Sequence, residues 1–411
     1  MKLFKIFPFF DRTVGKWATE ARLLRWLTFL WLFVGLAVLF SASYAVARAG
    51  TTDGLYYVKM QLGWVVLGLL LFNAVIHFPL RMLAKIGSIC LFIVLILLFA
   101  THIPGVGTTR NEATRWISVA GIPVQPSELI KPFLVLQAAQ LFGHWSRISP
   151  LRRTMWLGVF LLALLGILLQ PSLSVTALCG LTLWLIALAA GLPMYQMLGT
   201  GALGIVAGVA SVSINRYQLV RIMSFLDPWP DQAGSGYQLT QGLMAIGSGG
   251  VWGKGFGFSE MKHFLPYQDT DFIFAIFAEE FGLVGSISII VLLLIFAGVG
   301  LIVSSKCKDP FVRLVALGAT VLLVGQSFLN IGVSAGVLPT TGLPFPFFSY
   351  GGSSMLSSLF VAGMLIRAAR EMSAAEVLPF KRSSSTDPKD FRAQRQEKLA
   401  ASKRRRSFSV K

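Results

Sequence analysis

The chain has few of the residues that build disulfide frameworks and metal sites in soluble proteins. It contains 3 cysteines, 4 histidines and 18 acidic residues in a length of 411. Cys90, Cys179 and Cys307 are far apart and form no CxxC pair, so the sequence predicts neither a disulfide framework nor a zinc-type site. His263 has no histidine near it in sequence, which makes it a weak metal signal. Charged residues are also scarce, at 13%, and this argues against a water-soluble fold.

Long apolar stretches are abundant instead. Apolar side chains make up 55% of the residues and the mean hydropathy is +0.70, values typical of a polytopic membrane protein. Runs of the length that crosses a bilayer as helix, about 17 to 25 residues, predict an all-α integral membrane protein with ten transmembrane helices. They are 25–48, 59–77, 83–102, 127–145, 153–170, 172–190, 193–214, 271–304, 311–333 and 350–370. A large loop, 215–270, separates the seventh from the eighth.

The basic residues predict the orientation. Lys and Arg are retained on the cytoplasmic side of a membrane, and with the N-terminus inside, 27 of the 36 basic residues fall on inner segments. We therefore expect a cytoplasmic segment 1–24, a membrane domain 25–372 and a cytoplasmic tail 373–411, with the loop 215–270 facing outward. The tail has the Ser, Lys and Pro bias of disorder. Its basic run at 403–407 suits anionic lipid or a docking partner, and nucleic acid is not expected.

The outer loop concentrates glycine, tryptophan and charge. Its GSGGVWGKGFG stretch, 247–257, fits neither nucleotide fingerprint, because no GxGxxG can be placed and Lys254 lacks the glycine spacing and the following Ser or Thr of a P-loop. The sequence therefore does not predict nucleotide binding. The glycines allow tight turns and a close approach of backbone N–H groups to an anion. A loop that merely folds back on the membrane is the alternative, and the sequence leaves both open.

Asp271 lies where this polar loop gives way to an apolar helix. A carboxylate at that boundary suits chemistry on a substrate with a polar head and an apolar tail. The alternative is an N-cap, because Thr270 and Asp271 would open the helix that begins FIFA and Asp is a preferred cap. The two roles are compatible if the helix N-terminus keeps the carboxylate ionised. Asp269, two residues earlier, is a second base, a cation ligand or a solvated loop residue.

Four further charges fall within predicted helices. Glu279 and Glu280 lie at membrane depth, where charges are costly and are usually paired or functional, and we expect pairing. Glu128 and Lys131 are three residues apart on one helix and predict a buried ion pair. We interpret Glu128, Lys131 and Glu280 as structural residues or as a switch that links a helix to the outer loop.

Several separate motifs occur in a recognisable order. They are TRWISV at 114–119, QPSELIK at 125–131, GSGYQLTQGLMAIGSGG at 234–250, TDFIFAIFAEEFG at 270–282 and NIGVSAGVLPTTGLPFPFFSYGGSS at 330–354. With them the chain resembles the SEDS family of cell-wall proteins, the FtsW, RodA and SpoVE group. The stretch GKGFGFSEMKHFLP, 253–266, is most similar to the cell-division branch. Two departures stand out: Tyr267 and Asp269 occupy the positions of a usual Glu and His, and QPSLS at 170–174 replaces the frequent QPDLG.

The resemblance implies a ten-helix bundle that polymerises lipid II into peptidoglycan glycan strands on the outer face of a bacterial plasma membrane, during cell division. It places Asp271 in the motif of the family's essential acid. It also implies a class B penicillin-binding protein transpeptidase and other divisome proteins as partners, besides lipid II, the growing strand and membrane lipid. No cofactor is expected with certainty, although a divalent cation, Mg²⁺ or Mn²⁺, is compatible with a diphosphate substrate. A lipid II flippase and a non-catalytic scaffold for a transpeptidase are the alternatives.

A single carboxylate suits the implied reaction. A glycosyl diphosphate already carries a good leaving group, so no general acid is needed, unlike in inverting hydrolases. Asp271 would act as the base towards the acceptor hydroxyl, and inversion at the anomeric carbon would follow. The diphosphate needs cationic donors. The outward basic candidates are Arg110, Arg115, Arg216, Arg221, Lys254 and Lys262. Of these, Arg115, Arg216 and Arg221 are ranked highest. Gln241 and Ser353, which lie in the matched motifs, complete the predicted substrate site.

Overall fold

The computed structural model describes residues 12–50, 53–110, 113–119, 121–170, 172–232 and 234–377. The membrane helices belong to one compact unit that ends at Met372. The predicted cytoplasmic segment 1–24 is described from residue 12 onward, and the predicted tail 373–411 lies outside the described residues beyond Val377. The proposed domain limits therefore stay predictions.

The described helices coincide with the apolar runs of the sequence, except for α9 and α10, which lie within the segment 215–270 that the sequence predicted as a loop. They are α1 Thr19–Gly50, α2 Tyr56–His77, α3 Leu80–Ala100, α4 Pro126–Leu129, α5 Lys131–Gly143, α6 Pro150–Leu169, α7 Leu173–Ala189, α8 Met194–Ile214, α9 Arg216–Leu226, α10 Tyr237–Ser248, α11 Ile273–Lys306, α12 Pro310–Ser334 and α13 Gly352–Val377. Of these, α1, α2, α3, α6, α8, α11, α12 and α13 are long and apolar enough, within the described residues, to cross a membrane.

The other two predicted spans are shorter helices. The apolar helix α7 has 17 residues, and the predicted span 127–145 is divided at Ile130 into α4 and α5. The all-α, multi-pass class is confirmed, whereas the exact number of ten crossings stays a prediction.

A small antiparallel sheet, absent from the sequence prediction, interrupts the helical fold. Its strands are β1 Gly107–Arg110, β2 Ala113–Val119 and β3 Ile122–Val124, in the order β1-β2-β3. Gly107 pairs with Ile117, and Ile117 pairs with Val124. The motif TRWISV therefore lies in strand β2, which carries Arg115 and contacts α4.

Helix α12 lies at the centre of the bundle and packs against α5, α7 and α11. Small residues allow this close packing, because a Cβ at Gly318 would lie 2.8 Å from Val135 Cγ1 and 2.7 Å from Ile186 Cδ1. Helix α8 is the opposite case: Met197 is its one buried residue in the described structure. Its remaining apolar side chains face outward, as expected for a helix that borders lipid.

Helix α11 is broken at Gly282, where φ is 64° and ψ is −161°. The backbone groups freed by the break bind the loop that follows α10. Leu283 N donates to Gly250 O at 3.0 Å, and Lys254 N donates to Glu279 O at 3.0 Å. Irregular backbone is tolerated in a membrane only where protein or a water cavity covers it, and this loop provides the cover. The first part of α11, residues 273–281, is thereby held as a short helix of largely buried side chains directly after Asp271.

Candidate active site

Asp271 lies two residues before the first residue of α11. The N-cap position is Phe272, and no side chain caps the helix, so the capping role considered for Asp271 is not the one that the structure shows. Its backbone is firmly held, because three consecutive carbonyls accept hydrogen bonds from distant segments. The donors are Tyr350 N to Asp269 O at 2.7 Å, Ser349 Oγ to Thr270 O at 2.6 Å and Asn330 Nδ2 to Asp271 O at 2.8 Å.

Asn330 ties two parts of the site together. Its Nδ2 also donates to Leu343 O at 2.8 Å, so this α12 side chain joins the residue before α11 to the segment that leads into α13. Phe345 N donates to Ser349 Oγ at 2.7 Å and fixes the hydroxyl that binds Thr270 O. The Asp271 side chain is thus positioned by a rigid backbone and not by a flexible loop.

Three charged side chains converge on Gly342. A Cβ built on this glycine would lie 3.5 Å from Asp271 Oδ2, 3.5 Å from Arg115 Nη1 and 4.0 Å from Arg221 Nη1. Gly342 also has a φ of +73°, a conformation that favours glycine. The carboxylate comes from the turn before α11 and the two guanidinium groups come from β2 and α9, so residues far apart in sequence share one small volume.

Both arginines are held by hydrogen bonds that leave further N–H donors for a ligand. Arg115 is 7% exposed and donates from Nε to Gln170 O at 2.9 Å. Arg221 is half-buried and donates from Nη1 to Thr340 O at 3.1 Å. Tyr217 is a neighbour of both: its ring is 4.6 Å from the Arg221 guanidinium, and its side chain interacts with Arg115. A guanidinium has five N–H donors, so each arginine keeps donors for an anion.

The electrostatics of the site favour a base that titrates close to neutral pH. Burial raises the pKa of Asp271 to about 6, while Arg221 and Arg115 oppose the rise and Asp269 and Glu128 reinforce it. The pKa of Asp269 is also raised by burial. A carboxyl with a pKa near 6 is mostly ionised at pH 7 and still accepts a proton readily, the compromise that general base catalysis needs.

The two lysines of the outer loop belong to a second group. Lys254 Nζ lies 2.9 Å from Glu279 Oε1 and 3.3 Å from Glu260 Oε2, and Lys262 Nζ donates to Gly257 O at 2.6 Å. The expected pairing of Glu279 is present. The pairing expected for Glu280 is not observed among the described residues: its carboxylate is buried and accepts a hydrogen bond from Ser41 Oγ, and its Oε2 has no partner there. Neither lysine is joined to the Asp271 group by these contacts.

The other predicted site residues are spread around the bundle. Arg216 is exposed on α9 and Gln241 is half-buried on α10. Ser353 Oγ accepts a hydrogen bond from Gln125 N at 3.0 Å, which links α13 to the residue before α4. The side chain of Arg110 lies outside the described residues. Only Arg115 and Arg221, of the basic candidates with described side chains, share the point beside Gly342 with Asp271.

The predicted ion pair of Glu128 and Lys131 is present and fully buried. Lys131 Nζ lies 2.6 Å from Glu128 Oε1, and the side chains are 0% and 2% exposed. Lys131 also donates to Gln326 Oε1 at 2.8 Å, and Gln326 Nε2 donates to Pro344 O at 2.8 Å. The pair is therefore connected to the segment that carries Gly342.

Sequence reasoning missed four residues that build this site: Asn330, Gly342, Tyr217 and Gln170. Asn330 and Gly342 lie within the quoted motif 330–354, and Tyr217 follows Arg216 directly. Their types gave a usable signal, because an Asn within an apolar helix and a Gly before a Pro-containing turn are both unusual. Gln170 opens the quoted stretch QPSLS, but it acts through its backbone carbonyl, which any residue supplies, so its residue type carried no signal for this role.

The fold and the site together define a class: a multi-pass helical membrane protein with one half-buried carboxylate between two arginines, next to a broken helix. The family described as "Cell cycle protein", FtsW/RodA/SpoVE, matches residues 21–374. The chain belongs to this family.

Named relatives agree with this assignment along nearly the whole chain. The chain is 54% identical to the "Probable peptidoglycan glycosyltransferase FtsW" of Synechocystis sp. over 375 residues, which cover 91% of this chain and 95% of that protein. It is 34% identical to the "Stage V sporulation protein E" of Bacillus subtilis, with 84% and 95% covered.

Solved structures show the same fold. A chain from "Structural coordination of polymerization and crosslinking by a peptidoglycan synthase complex" aligns with a TM-score of 0.68 at 26% identity, covering 85% of this chain and 97% of that one. The crystal structure of the Thermus thermophilus rod shape determining protein RodA aligns with a TM-score of 0.61 at 25% identity, with 85% and 96% covered.

Proposed function

We propose that the protein is a peptidoglycan glycosyltransferase that polymerises lipid II, and that Asp271 is its general base. The observation that carries the assignment is the convergence of Asp271, Arg115 and Arg221 beside Gly342. One carboxylate and two anchored guanidinium groups are what transfer of a sugar from a lipid diphosphate requires: a base for the acceptor hydroxyl and positive charge for the leaving group.

The Asp271 carboxylate takes the proton of the acceptor sugar hydroxyl. That oxygen forms a new bond to the anomeric carbon of the lipid-linked donor as the bond from this carbon to the diphosphate oxygen breaks. The lipid diphosphate leaves with the electron pair, and attack from the opposite face inverts the anomeric carbon. The proton remains on Asp271 until solvent removes it. Positioned general base catalysis contributes about a hundredfold to ten-thousandfold to such a step.

Arg115 and Arg221 stabilise the charge that develops on the diphosphate. Both guanidinium groups are fixed by backbone carbonyls and by Tyr217, so they need little reorganisation when the leaving group departs. Arg216, Lys254, Lys262, Gln241 and Ser353 stay predicted contacts of the longer substrate. Lys254 and Lys262 would have to release their present partners to reach it.

No step is assigned to a metal ion. The described residues contain no cluster of three or more His, Cys, Asp or Glu that could hold one, and the donors at the site are one or two carboxylates beside two arginines. A dependence on Mg²⁺ or Mn²⁺ stays a prediction, with the diphosphate as the cation's ligand. Chelation with EDTA and re-addition of each ion during polymerisation tests it.

The proposed setting is the plasma membrane of a bacterium, with both termini in the cytoplasm and Asp271 at the outer face. A class B penicillin-binding protein transpeptidase and other divisome proteins are the proposed partners. The alignment to a chain from a peptidoglycan synthase complex supports an association of this kind, and the similarity to FtsW proteins supports a role in division.

The decisive experiment compares the protein with Asp271→Asn. The purified protein, together with its transpeptidase partner, is supplied with labelled lipid II, and glycan chains are separated by size. We expect Asp271→Asn to reduce polymerisation by about a hundredfold or more while still binding lipid II. Asp227→Asn, an exposed carboxylate of the same outer loop, is the matched control and keeps normal activity. Chains formed by Asp271→Asn at the normal rate would disprove the assignment of the base.

A flippase is the second candidate, and the broken helix α11 favours it. Broken helices with buried acidic residues occur in transporters, and α11 combines the break at Gly282 with buried Glu279 and Glu280. Fluorescent lipid II in vesicles that contain the protein separates the two functions. Translocation that survives in Asp271→Asn, with no polymerisation by either protein, would favour the flippase. If the parent protein neither translocates nor polymerises lipid II, a non-catalytic scaffold is the remaining function.

A further inference from the structure

A cavity lies at the end of the bundle remote from Asp271. It is an open cavity of about 450 Å³, lined by residues of α3, α5 and α6 and by Phe311 of α12, and its volume is that of many small-ligand sites. Helix α3 runs from the cavity towards the candidate active site: Lys85 is in its second turn, whereas Thr101, just past its end, accepts a hydrogen bond from Gln170, which binds Arg115. Lys85 and Thr101 are therefore separated by about 24 Å along α3 at the helical rise.

The lining of this cavity is positively charged. Arg81, Lys85, Arg152 and His144 line it, and its described lining residues include no Asp or Glu. Arg81 is neutralised by Asp309, with 2.8 Å between Nη2 and Oδ2. Lys85 and Arg152 have no carboxylate partner within the part of the chain that the structure describes. Two uncompensated cations that face one cavity favour a phosphate-bearing anion.

An apolar surface continues from the cavity along α3 and α6. Trp156 lines the cavity and packs against Phe92, with 6.1 Å between ring centroids. Phe92 is 46% exposed and Ile89, one turn nearer the cavity, is 64% exposed. A free phosphate would use only the charged part of this surface. An amphiphile with an anionic head and an acyl chain would use all of it.

We propose that this cavity binds the phosphate head group of an anionic phospholipid, with an acyl chain along Ile89, Phe92 and Trp156. Basic pockets between helices on the cytoplasmic side of membrane proteins bind such head groups. Lys85 and Arg152 provide the ionic contacts, and His144 and Gln140 provide polar contacts at the cavity wall. The assignment to the inner leaflet rests on the proposed orientation, whereas the binding itself does not.

Native mass spectrometry of the full chain tests the proposal. Detergent-purified protein is titrated with phosphatidylglycerol or phosphatidylcholine of identical acyl chains. We expect phosphatidylglycerol to bind about tenfold more tightly, and Lys85→Gln combined with Arg152→Gln to abolish that preference. The matched control is Arg147→Gln combined with Lys308→Gln, which removes two exposed charges of the same end outside the cavity lining. It should change the affinity by less than about twofold.

Two outcomes would overturn the proposal. Equal losses in the two double variants would mean that general surface charge attracts the lipid. Displacement by inorganic phosphate at the concentration at which the lipid binds would make free phosphate the ligand. Thermal unfolding in detergent checks the fold, and Arg152→Gln alone replaces the double variant if that unfolds. Because lipid II is absent from the titration, the result is independent of the proposed glycosyltransferase activity.

Discussion

Asp271 is balanced between groups that raise and groups that lower its pKa, and with Asp271 as the proposed base this balance should set the pH dependence of polymerisation. The pKa is about 6, above the value of 3.8 for an unperturbed Asp. A protonated Asp271 cannot accept a proton, so we expect the rate of polymerisation to fall about tenfold per pH unit below pH 6. The same shift means that ionising Asp271 reduces folding stability as pH rises from about 4 to 6.

The rate of polymerisation is expected to fall at low pH, and this part of the pH–rate profile is its acidic limb. Neighbouring charges should shift the acidic limb in opposite directions. Asp269 raises the pKa of Asp271, so Asp269→Asn should shift the limb to lower pH. Arg221 lowers the pKa, so Arg221→Gln should shift the limb to higher pH and reduce the rate as well. Polymerisation rates between pH 4.5 and 8 measure both shifts. A limb that stays in place in both variants would show that a group other than Asp271 controls the rate.

Removing one partner of the Glu128–Lys131 pair should destabilise the fold more than replacing both partners by apolar residues. Removal of one partner from a buried ion pair leaves an uncompensated charge, a loss of about 3–5 kcal/mol. Glu128→Gln and Lys131→Met should each lower the unfolding temperature in detergent, and Glu128→Leu combined with Lys131→Met should lower it less than either single change. A double variant with the summed loss of the two singles would mean that the groups do not interact.

At this scale the sequence predicted the residue types of the candidate site better than their geometry. Asp271 was found from its place between a polar loop and an apolar helix, and Arg115 and Arg221 were among the basic candidates. Arg216 was ranked beside them, yet it is exposed. Arg216 and Arg221 are five residues apart on one helix, and at 3.6 residues per turn they point in different directions. Which face of α9 points towards the site depends on how the helix packs, and the sequence of α9 alone does not determine it.

The break in α11 makes a prediction at the scale of a single element. A Cβ at Gly282 would lie 2.4 Å from Gly253 N and 2.6 Å from Val251 O, and its φ of +64° disfavours other residues. Gly282→Ala should therefore expel the loop that covers the break, lower the unfolding temperature by several degrees and reduce polymerisation. Gly298→Ala in the same helix, where a Cβ meets no atom within 4 Å, is the control and should leave both unchanged or slightly improved.

Regular elements followed from the sequence and irregular ones did not. Nine of the ten predicted apolar runs coincide with one helix each, and 127–145 contains two, α4 and α5, because a spanning segment must satisfy its own backbone hydrogen bonds. The sheet of 107–124 has strands of 3 to 7 residues, and the longest, ATRWISV, lacks the strict alternation of apolar and polar side chains that would distinguish a strand from a loop. The break at Gly282 was hidden because the apolar composition continues through it, and only the contact with residues 250–255 reveals it.

The topology of the whole molecule is the premise of the mechanism, since the substrate would be used at the outer face. Single cysteines test it in a Cys90→Ser background, where the two remaining native cysteines are buried. Gln232→Cys lies in the outer loop and Ser146→Cys lies between α5 and α6, and both native residues are exposed. A membrane-impermeant maleimide should label Gln232→Cys in intact cells, and Ser146→Cys only after permeabilisation.

The background protein without added cysteines should remain unlabelled in both conditions. Because Asp271 follows the loop that contains Gln232, labelling of Ser146→Cys in intact cells, with Gln232→Cys protected, would place the carboxylate on the cytoplasmic side. It would also move the cationic cavity of α3, α5 and α6 to the outer leaflet. Lipid II would then meet the arginines before translocation, and polymerisation at the cell surface could not be the reaction of this site.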